Sequence, residues 1–175
     1  MNRFLQYILL FLLFGALQAF VFGRMQLGPF LYPCIYLLFI FLFPFGYKTP
    51  YLLLWSFAIG LSVDILSAGV LGMHTSATLC VGLLRQSVLK LVAAQGDFGP
   101  LATPGLHTLG YRRYLTFVTL LLLIHHSVLF GLEAFRFSFL PLVFIQVLCS
   151  TVLNVLCIAI VQATFFGQKR GSNNY

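Results

Sequence analysis

Charged residues are scarce in this chain of 175 residues: they make up only 7% of it, and just 3 of them are acidic. A soluble domain usually carries about 25% charged residues, because its surface must face water. The shortage excludes an ordinary soluble enzyme, a disordered chain and a nucleic-acid-binding module. Hydrophobic residues make up 61% of the chain instead, and 20 residues are Phe. This composition indicates a protein whose partner is the lipid bilayer.

The motifs of common enzyme classes are also missing. The sequence has no Walker loop, no H-E-x-x-H and no G-x-S-x-G, which are the patterns that nucleotide-binding, zinc-dependent and serine-nucleophile sites use. Three acids provide little material for paired-carboxylate catalysis. We therefore expect a protein that is not an enzyme, with no catalytic residues and no cofactor.

The residue types that bind metals do not form a recognisable pattern. The cysteines lie inside apolar stretches without a C-x-x-C pair, which is typical of buried small hydrophobic residues: Cys34, Cys80, Cys149 and Cys157. His125 and His126 are adjacent, and neighbouring residues of a helix point about 100° apart. We expect these two histidines to diverge, and we predict no metal site.

Long uncharged runs dominate the chain. Residues 4–23, 25–47, 114–132 and 137–168 carry no charge, and Asp64 alone interrupts 49–84. A bilayer core about 30 Å thick is crossed by about 20 apolar residues in a helix, which also satisfies its own backbone hydrogen bonds. We predict a single all-α polytopic transmembrane domain over residues 1–175. Its six helices are expected near 4–22, 30–45, 51–66, 70–93, 114–132 and 139–166.

The basic residues predict the orientation of these helices. With six spans, both termini and the second and fourth loops share one side of the membrane. That side holds most of the bases between spans: Arg3, Lys48, Arg112, Arg113, Lys169 and Arg170. The opposite side holds Arg24 and Arg136. Because cytoplasmic loops are enriched in Lys and Arg, both termini are expected in the cytoplasm. The Gly- and Pro-rich segment 95–113 is then a cytoplasmic loop.

Asp64 is the clearest candidate for a functional residue, since a charge at the centre of a bilayer costs about 3 kcal/mol in insertion experiments. It lies near the outer end of the third predicted helix, and Ser67 and the following residues turn the chain into the fourth. Such a hairpin brings Asp64 within reach of His74. Two interpretations stay open: an element for partner binding or conformational change, or a carboxylate that accepts hydrogen bonds from Ser67, His74 or helix-four amides.

The stretch from Gly60 to His74, GLSVDILSAGVLGMH, resembles the signature of the bacterial rod shape-determining protein MreD family. In that pattern Gly-x-x-x-Asp ends one helix, a turn follows, and Leu-Gly opens the next helix. The chain length, the helix number, the signal-anchor-like first helix and the basic tail are similar as well. The motif positions carried onto this chain are Asp64, Ser67, Leu71, Gly72 and His74.

This resemblance implies a multi-pass protein of the bacterial inner membrane that helps to determine cell shape. It implies a non-enzymatic role in the elongation machinery, in which the protein scaffolds or regulates peptidoglycan synthesis. The implied partners are the bitopic protein MreC and the complex of an elongation glycosyltransferase with a penicillin-binding protein. The motif residues would then shape the hairpin or contact MreC.

The same family is similar in fold to the substrate-binding subunits of energy-coupling-factor vitamin transporters. This similarity implies an alternative function, a small-molecule binder that docks on an ATPase module. A binder needs several polar groups that converge on one pocket. The outer half of the predicted bundle offers few of them: Asp64, His74, His125, His126 and Asn154.

Overall fold

The computed structural model describes residues 3–25, 27–28, 30–67, 70–93, 98–134 and 140–165. Within these ranges the chain is helical and contains no strand, which confirms the predicted all-α class. The helices are α1 (Arg3–Phe20), α2 (Leu37–Phe41), α3 (Thr49–Leu66), α4 (Met73–Val92), α5 (Leu106–Leu109), α6 (Tyr111–Ala134) and α7 (Leu140–Phe165). A 3-10 turn, Phe22–Arg24, follows α1.

Four of these helices are long and apolar enough to cross a membrane. They cover Arg3–Arg24, Thr49–Leu66, Tyr111–Ala134 and Pro141–Thr164, which is consistent with a multi-pass membrane protein. The helix α4 has a similar length of 20 residues, but polar residues along it, including Arg85 and Lys90, lower its mean hydropathy.

The predicted helix over 30–45 is wrong in its extent, because only Leu37–Phe41 is helical in this part of the chain. Pro33 and Pro44 lie on either side of α2. Proline has no backbone N–H and its ring clashes with the preceding helical turn, so a helix cannot run undisturbed through both positions. An uncharged apolar run alone did not distinguish a membrane helix from a buried irregular segment.

The predicted loop 95–113 is shorter in the structure, since α5 forms inside it and α6 already begins at Tyr111. Arg112 and Arg113 therefore lie in the first turn of α6. Residues 95–97 lie outside the described residues, as do Ala68, Gly69, Arg136, Lys169 and Arg170 and the predicted helix ends at 139 and 166.

Residues 30–47, called here the central segment, pass through the middle of the helix bundle. The side chains from Cys34 to Phe41 are between 0% and 3% exposed. At the end of the segment, the backbone amides of Phe45 and Gly46 donate to the carbonyls of Ala102 (2.9 Å) and Pro100 (2.8 Å). Because α2 is only five residues long, most backbone groups of this buried segment need partners outside a helix.

The helices α3 and α4 form a closely packed hairpin. A Cβ atom added at Gly60 would lie 2.6 Å from the Cα atom of Thr75, so glycine is what allows the two backbones to approach. Ser56, Gly60 and Asp64 follow one another at a spacing of four residues, and all are buried. Residues four apart share one face of a helix, so this face of α3 meets α4 with small residues and ends at the carboxylate.

Candidate functional site

Asp64 lies in the last turn of α3 and is 1% exposed. Its Oδ2 accepts hydrogen bonds from the backbone amides of Gly72 (2.9 Å) and Thr75 (3.1 Å), and from the Thr75 hydroxyl (2.5 Å). Its Oδ1 accepts the backbone amide of His74 at 2.9 Å. The first amides of a helix have no partner within the helix and carry its positive dipole end. Asp64 therefore caps α4 from the neighbouring helix, which satisfies its buried charge.

The His74 side chain completes this cap. Its Nδ1 lies 3.0 Å from Asp64 Oδ1, so the contact predicted from the sequence is present. The ring is partly exposed, at 24%, and it also lies edge-on against the ring of Tyr36, with centroids 6.3 Å apart. His74 thus connects the hairpin, the surface and the central segment.

The remaining motif residues form the turn and its tip. The Ser67 hydroxyl donates to the Val63 carbonyl, so of the donors expected for Asp64, Ser67 is wrong, whereas His74 and the amides of α4 are confirmed. Gly72 has a φ of 96°, a conformation that side-chain-bearing residues rarely adopt. Leu71 is 67% exposed and its neighbour Val70 is 69% exposed. The motif therefore combines a buried polar anchor with an exposed apolar tip.

Polar residues of α7 bind the backbone of the first part of the central segment, partners that the sequence did not identify. The Cys34 amide donates to Asn154 Oδ1 (2.6 Å), and Asn154 Nδ2 donates to the Tyr32 carbonyl (2.7 Å). The Tyr32 amide donates to the Ser150 hydroxyl (3.1 Å), which itself donates to the Phe30 carbonyl (3.0 Å). These two side chains replace the hydrogen bonds that a helix would have formed.

Polar residues of α4 bind the backbone of the second part of the central segment. Arg85 is fully buried and donates through one guanidinium nitrogen to the carbonyls of Phe41 (3.4 Å) and Phe43. Gln86 Nε2 donates to the carbonyls of Phe45 (2.9 Å) and Tyr47 (3.0 Å). The last carbonyls of a helix attract cations, and Arg85 occupies that position at the end of α2. Among the described residues it has no carboxylate partner.

His125 and His126 do not diverge as expected. Both are fully buried, and their ring centroids are 5.3 Å apart. Tyr36 Oη lies 2.7 Å from His125 Nε2, and Thr151 Oγ1 lies 3.2 Å from His126 Nδ1. The Cα–Cβ directions of neighbouring residues differ, but rotation about the side-chain bonds brings one nitrogen of each ring within 4.8 Å of the other and of Cys34 Sγ in the central segment. The expectation that the two histidines cannot serve one small site is therefore wrong.

A cavity of about 610 Å³ opens between the start of α1, the segment 101–108 and α7. Its polar lining includes Arg3, Tyr7, His107, Thr108 and Gln162. The volume falls in the range of about 300–1,000 Å³ that is typical of small-molecule sites. None of the five motif residues lines it.

No family model matches the chain, and neither a curated protein nor a solved structure matches it. The helices themselves define the class, an all-α chain with four candidate membrane spans. Its most specific polar arrangement within the described residues is the hairpin in which Asp64 caps α4.

Proposed function

We propose that this chain is a non-enzymatic component of the bacterial elongation machinery, of the MreD type, in the inner membrane. In this proposal it scaffolds or regulates peptidoglycan synthesis together with an MreC-like bitopic protein. The observation that supports the proposal is the hairpin of α3 and α4, in which the motif residue Asp64 is hydrogen-bonded to the motif residues Gly72 and His74. Its acid is buried as a helix cap, and Val70 and Leu71 at its tip are exposed.

The hairpin is suited to protein recognition because its shape is set before a partner arrives. Asp64 holds the start of α4 through bonds to Gly72, His74 and Thr75, so little order remains to be gained on binding. Preorganisation of this kind increases affinity by lowering the entropic cost of association. The exposed side chains of Val70 and Leu71 supply the apolar surface that the single membrane helix of a bitopic partner would contact.

The proposal includes six passes with both termini in the cytoplasm. The helix α4 has 20 residues, or about 30 Å at a rise of 1.5 Å per residue, and its Arg85 points into the protein. The central segment supplies the remaining pass. Irregular backbone is tolerated at membrane depth where protein buries it and satisfies its hydrogen bonds, as Asn154 and Arg85 do here.

Affinity purification in mild detergent, followed by mass spectrometry, tests the function. We expect an MreC-like protein and the wall-synthesis enzymes to co-purify with the wild-type chain. Leu71→Asn should abolish this recovery without changing the yield, because Leu71 is exposed and makes no hairpin bond. Leu91→Asn is the matched control, since Leu91 is 76% exposed at the far end of α4. Equal recovery with both variants would exclude the tip as the contact.

The cavity near α1 and α7 favours the second candidate, a substrate-binding subunit of an energy-coupling-factor type transporter, in the orientation opposite to the six-pass proposal, which places this end of the bundle in the cytoplasm. Its volume of about 610 Å³ and its polar lining suit a small molecule. The same purification separates the two functions. Paired ATPases and a coupling membrane subunit, recovered in place of the wall-synthesis proteins, would support the transporter.

A further inference from the structure

A second cluster of chemistry-bearing side chains lies at the point where the central segment passes α6. One potential ligand atom from each of Cys34, His125 and His126 lies within 4.8 Å of the other two. All three residues are buried, with exposed fractions of 2%, 0% and 0%. The cluster is separate from the cap on Asp64 and from the cavity between α1 and α7.

One ring nitrogen of His125 has a hydrogen-bond partner, and the other has none. Its Nε2 lies 2.7 Å from Tyr36 Oη, whereas its Nδ1 is buried without a hydrogen-bond partner. Buried polar atoms usually have a partner in folded proteins; among the described residues, Nδ1 is one of seven buried side-chain atoms that do not, and the only imidazole nitrogen among them. If Nε2–H donates to the tyrosine oxygen, Nδ1 carries a lone pair that is available for a metal.

The two ring nitrogens of His126 also differ in their hydrogen bonding. Its Nδ1 lies 3.2 Å from Thr151 Oγ1. Its Nε2 has a long contact of 3.4 Å with Asn154 Nδ2, a nitrogen that already donates to the carbonyls of Tyr32 (2.7 Å) and Ser150 (2.8 Å). Metal-binding histidines usually have their second ring nitrogen hydrogen-bonded in this way, which fixes the tautomer and the ring orientation.

We propose that Cys34 Sγ, His125 Nδ1 and His126 Nε2 form a three-coordinate site for Cu(I). Thiolate and imidazole are ligands that copper favours. A structural zinc site usually requires four protein ligands, and within the described ranges the cluster contains no fourth His, Cys, Asp or Glu.

The net charge of the occupied site favours a monovalent ion over a divalent one. When Cu(I) binds, the Cys34 thiol releases its proton to solvent as the Cu–S bond forms, so a neutral site stays neutral. A divalent ion in the same site would leave one uncompensated positive charge. Burying a net charge is costly, and the carboxylate of Asp64 is already engaged by the start of α4.

The site would connect three parts of the bundle that are distant in sequence. Cys34 belongs to the central segment, the histidines belong to α6, and Thr151 and Asn154 of α7 contact His126. A bound metal would therefore brace the irregular segment against the two helices that flank it.

The test uses the full chain, purified in detergent and titrated anaerobically with Cu(I) against a chromophoric Cu(I) chelator. We expect one equivalent of copper to bind. Cys34→Ser should lower the affinity by more than about 100-fold, because a hydroxyl is a poor ligand for a soft ion. Thr151→Val should lower it by about 10-fold, in the range found for residues that orient metal ligands. Cys157→Ser is the matched control and should bind as the wild type does.

X-ray absorption of the copper-loaded wild type keeps the proposal testable even if a variant folds poorly. We expect one sulfur and two nitrogen ligands. A spectrum without sulfur, unchanged binding in a folded Cys34→Ser variant, or equal affinity for Zn(II) would each overturn the assignment.

Discussion

Asp64 shows how one side chain can make a buried hairpin possible in an apolar chain. Each of its oxygens accepts hydrogen bonds from the first turn of α4, where the amides have no other partner. The carboxylate thus gains several charge-assisted bonds at the positive end of a helix dipole. Its position in the bundle is consistent with a structural cap, and the proposed contact with a partner is made by its exposed neighbours.

Asp64→Asn is expected to lower the free energy of unfolding by about 2–3 kcal/mol, the amount usual for hydrogen bonds to a charged group. An asparagine presents an NH₂ group to backbone donors, so one side of the cap is lost. The measurement is the thermal unfolding midpoint in detergent, with Glu133→Gln, an exposed change near the end of α6, as the control. Equal midpoints for the two variants would contradict the role of Asp64 as a cap.

Among single residues, the sequence predicted the partners of Asp64 better than those of the other buried polar residues. The isolated acid in an apolar run predicted the Asp64–His74 contact, which the structure confirms. The partners of Ser150, Asn154 and Arg85 could not be predicted, because a polar residue in an apolar helix indicates an internal partner without identifying it. Their partners are backbone groups of the central segment, which have no signature in a side-chain pattern.

At the scale of elements, the central segment depends on side chains that replace a helix's own hydrogen bonds. Asn154→Leu keeps a similar volume but removes the bonds to Cys34 and Tyr32. We expect a loss of about 2–4 kcal/mol in unfolding free energy, since two buried backbone groups would lose their partner. Thr164→Val on the same helix is the control, because that exposed hydroxyl bonds only to its own helix. Unfolding midpoints in detergent compare the two, and an equal effect of both changes would disprove the role of Asn154.

The contact between α3 and α4 gives a second prediction at this scale. Gly60→Ala would place a Cβ atom 2.6 Å from the Cα of Thr75, so the helices must separate, and overpacking of this kind costs about 1–3 kcal/mol. Gly131→Ala in α6 meets nothing within 4 Å and should be neutral or stabilising, by up to about 1 kcal/mol. The difference between their unfolding midpoints checks the packing. A Gly60→Ala variant as stable as Gly131→Ala would refute it.

Some helices could be predicted from the sequence and others could not. Uncharged runs of about 20 residues indicate helices because the bilayer fixes their length, and α1, α6 and α7 follow such runs, whereas the uncharged run of α3 ends at Asp64. The run at 25–47 was equally apolar, yet its burial inside the bundle removes the need for a continuous helix. Pro33 and Pro44 were the available signal for this difference. The convergence of His125 and His126 could not be predicted, because it depends on where the central segment lies.

For the whole molecule, the proposed six passes place the hairpin tip and the segment around Leu101 on opposite sides of the membrane. Val70 and Leu101 are 69% and 66% exposed, so each can be changed to cysteine without disturbing the core. In spheroplasts, an impermeant thiol reagent should label Val70→Cys directly, whereas it should label Leu101→Cys only after the membrane is permeabilised. Labelling of the wild-type chain gives the background from its own cysteines, of which Cys34 is buried. Labelling of both variants from outside would mean that the helix α4 between them does not cross, and the reversed pattern would mean that the termini face outward.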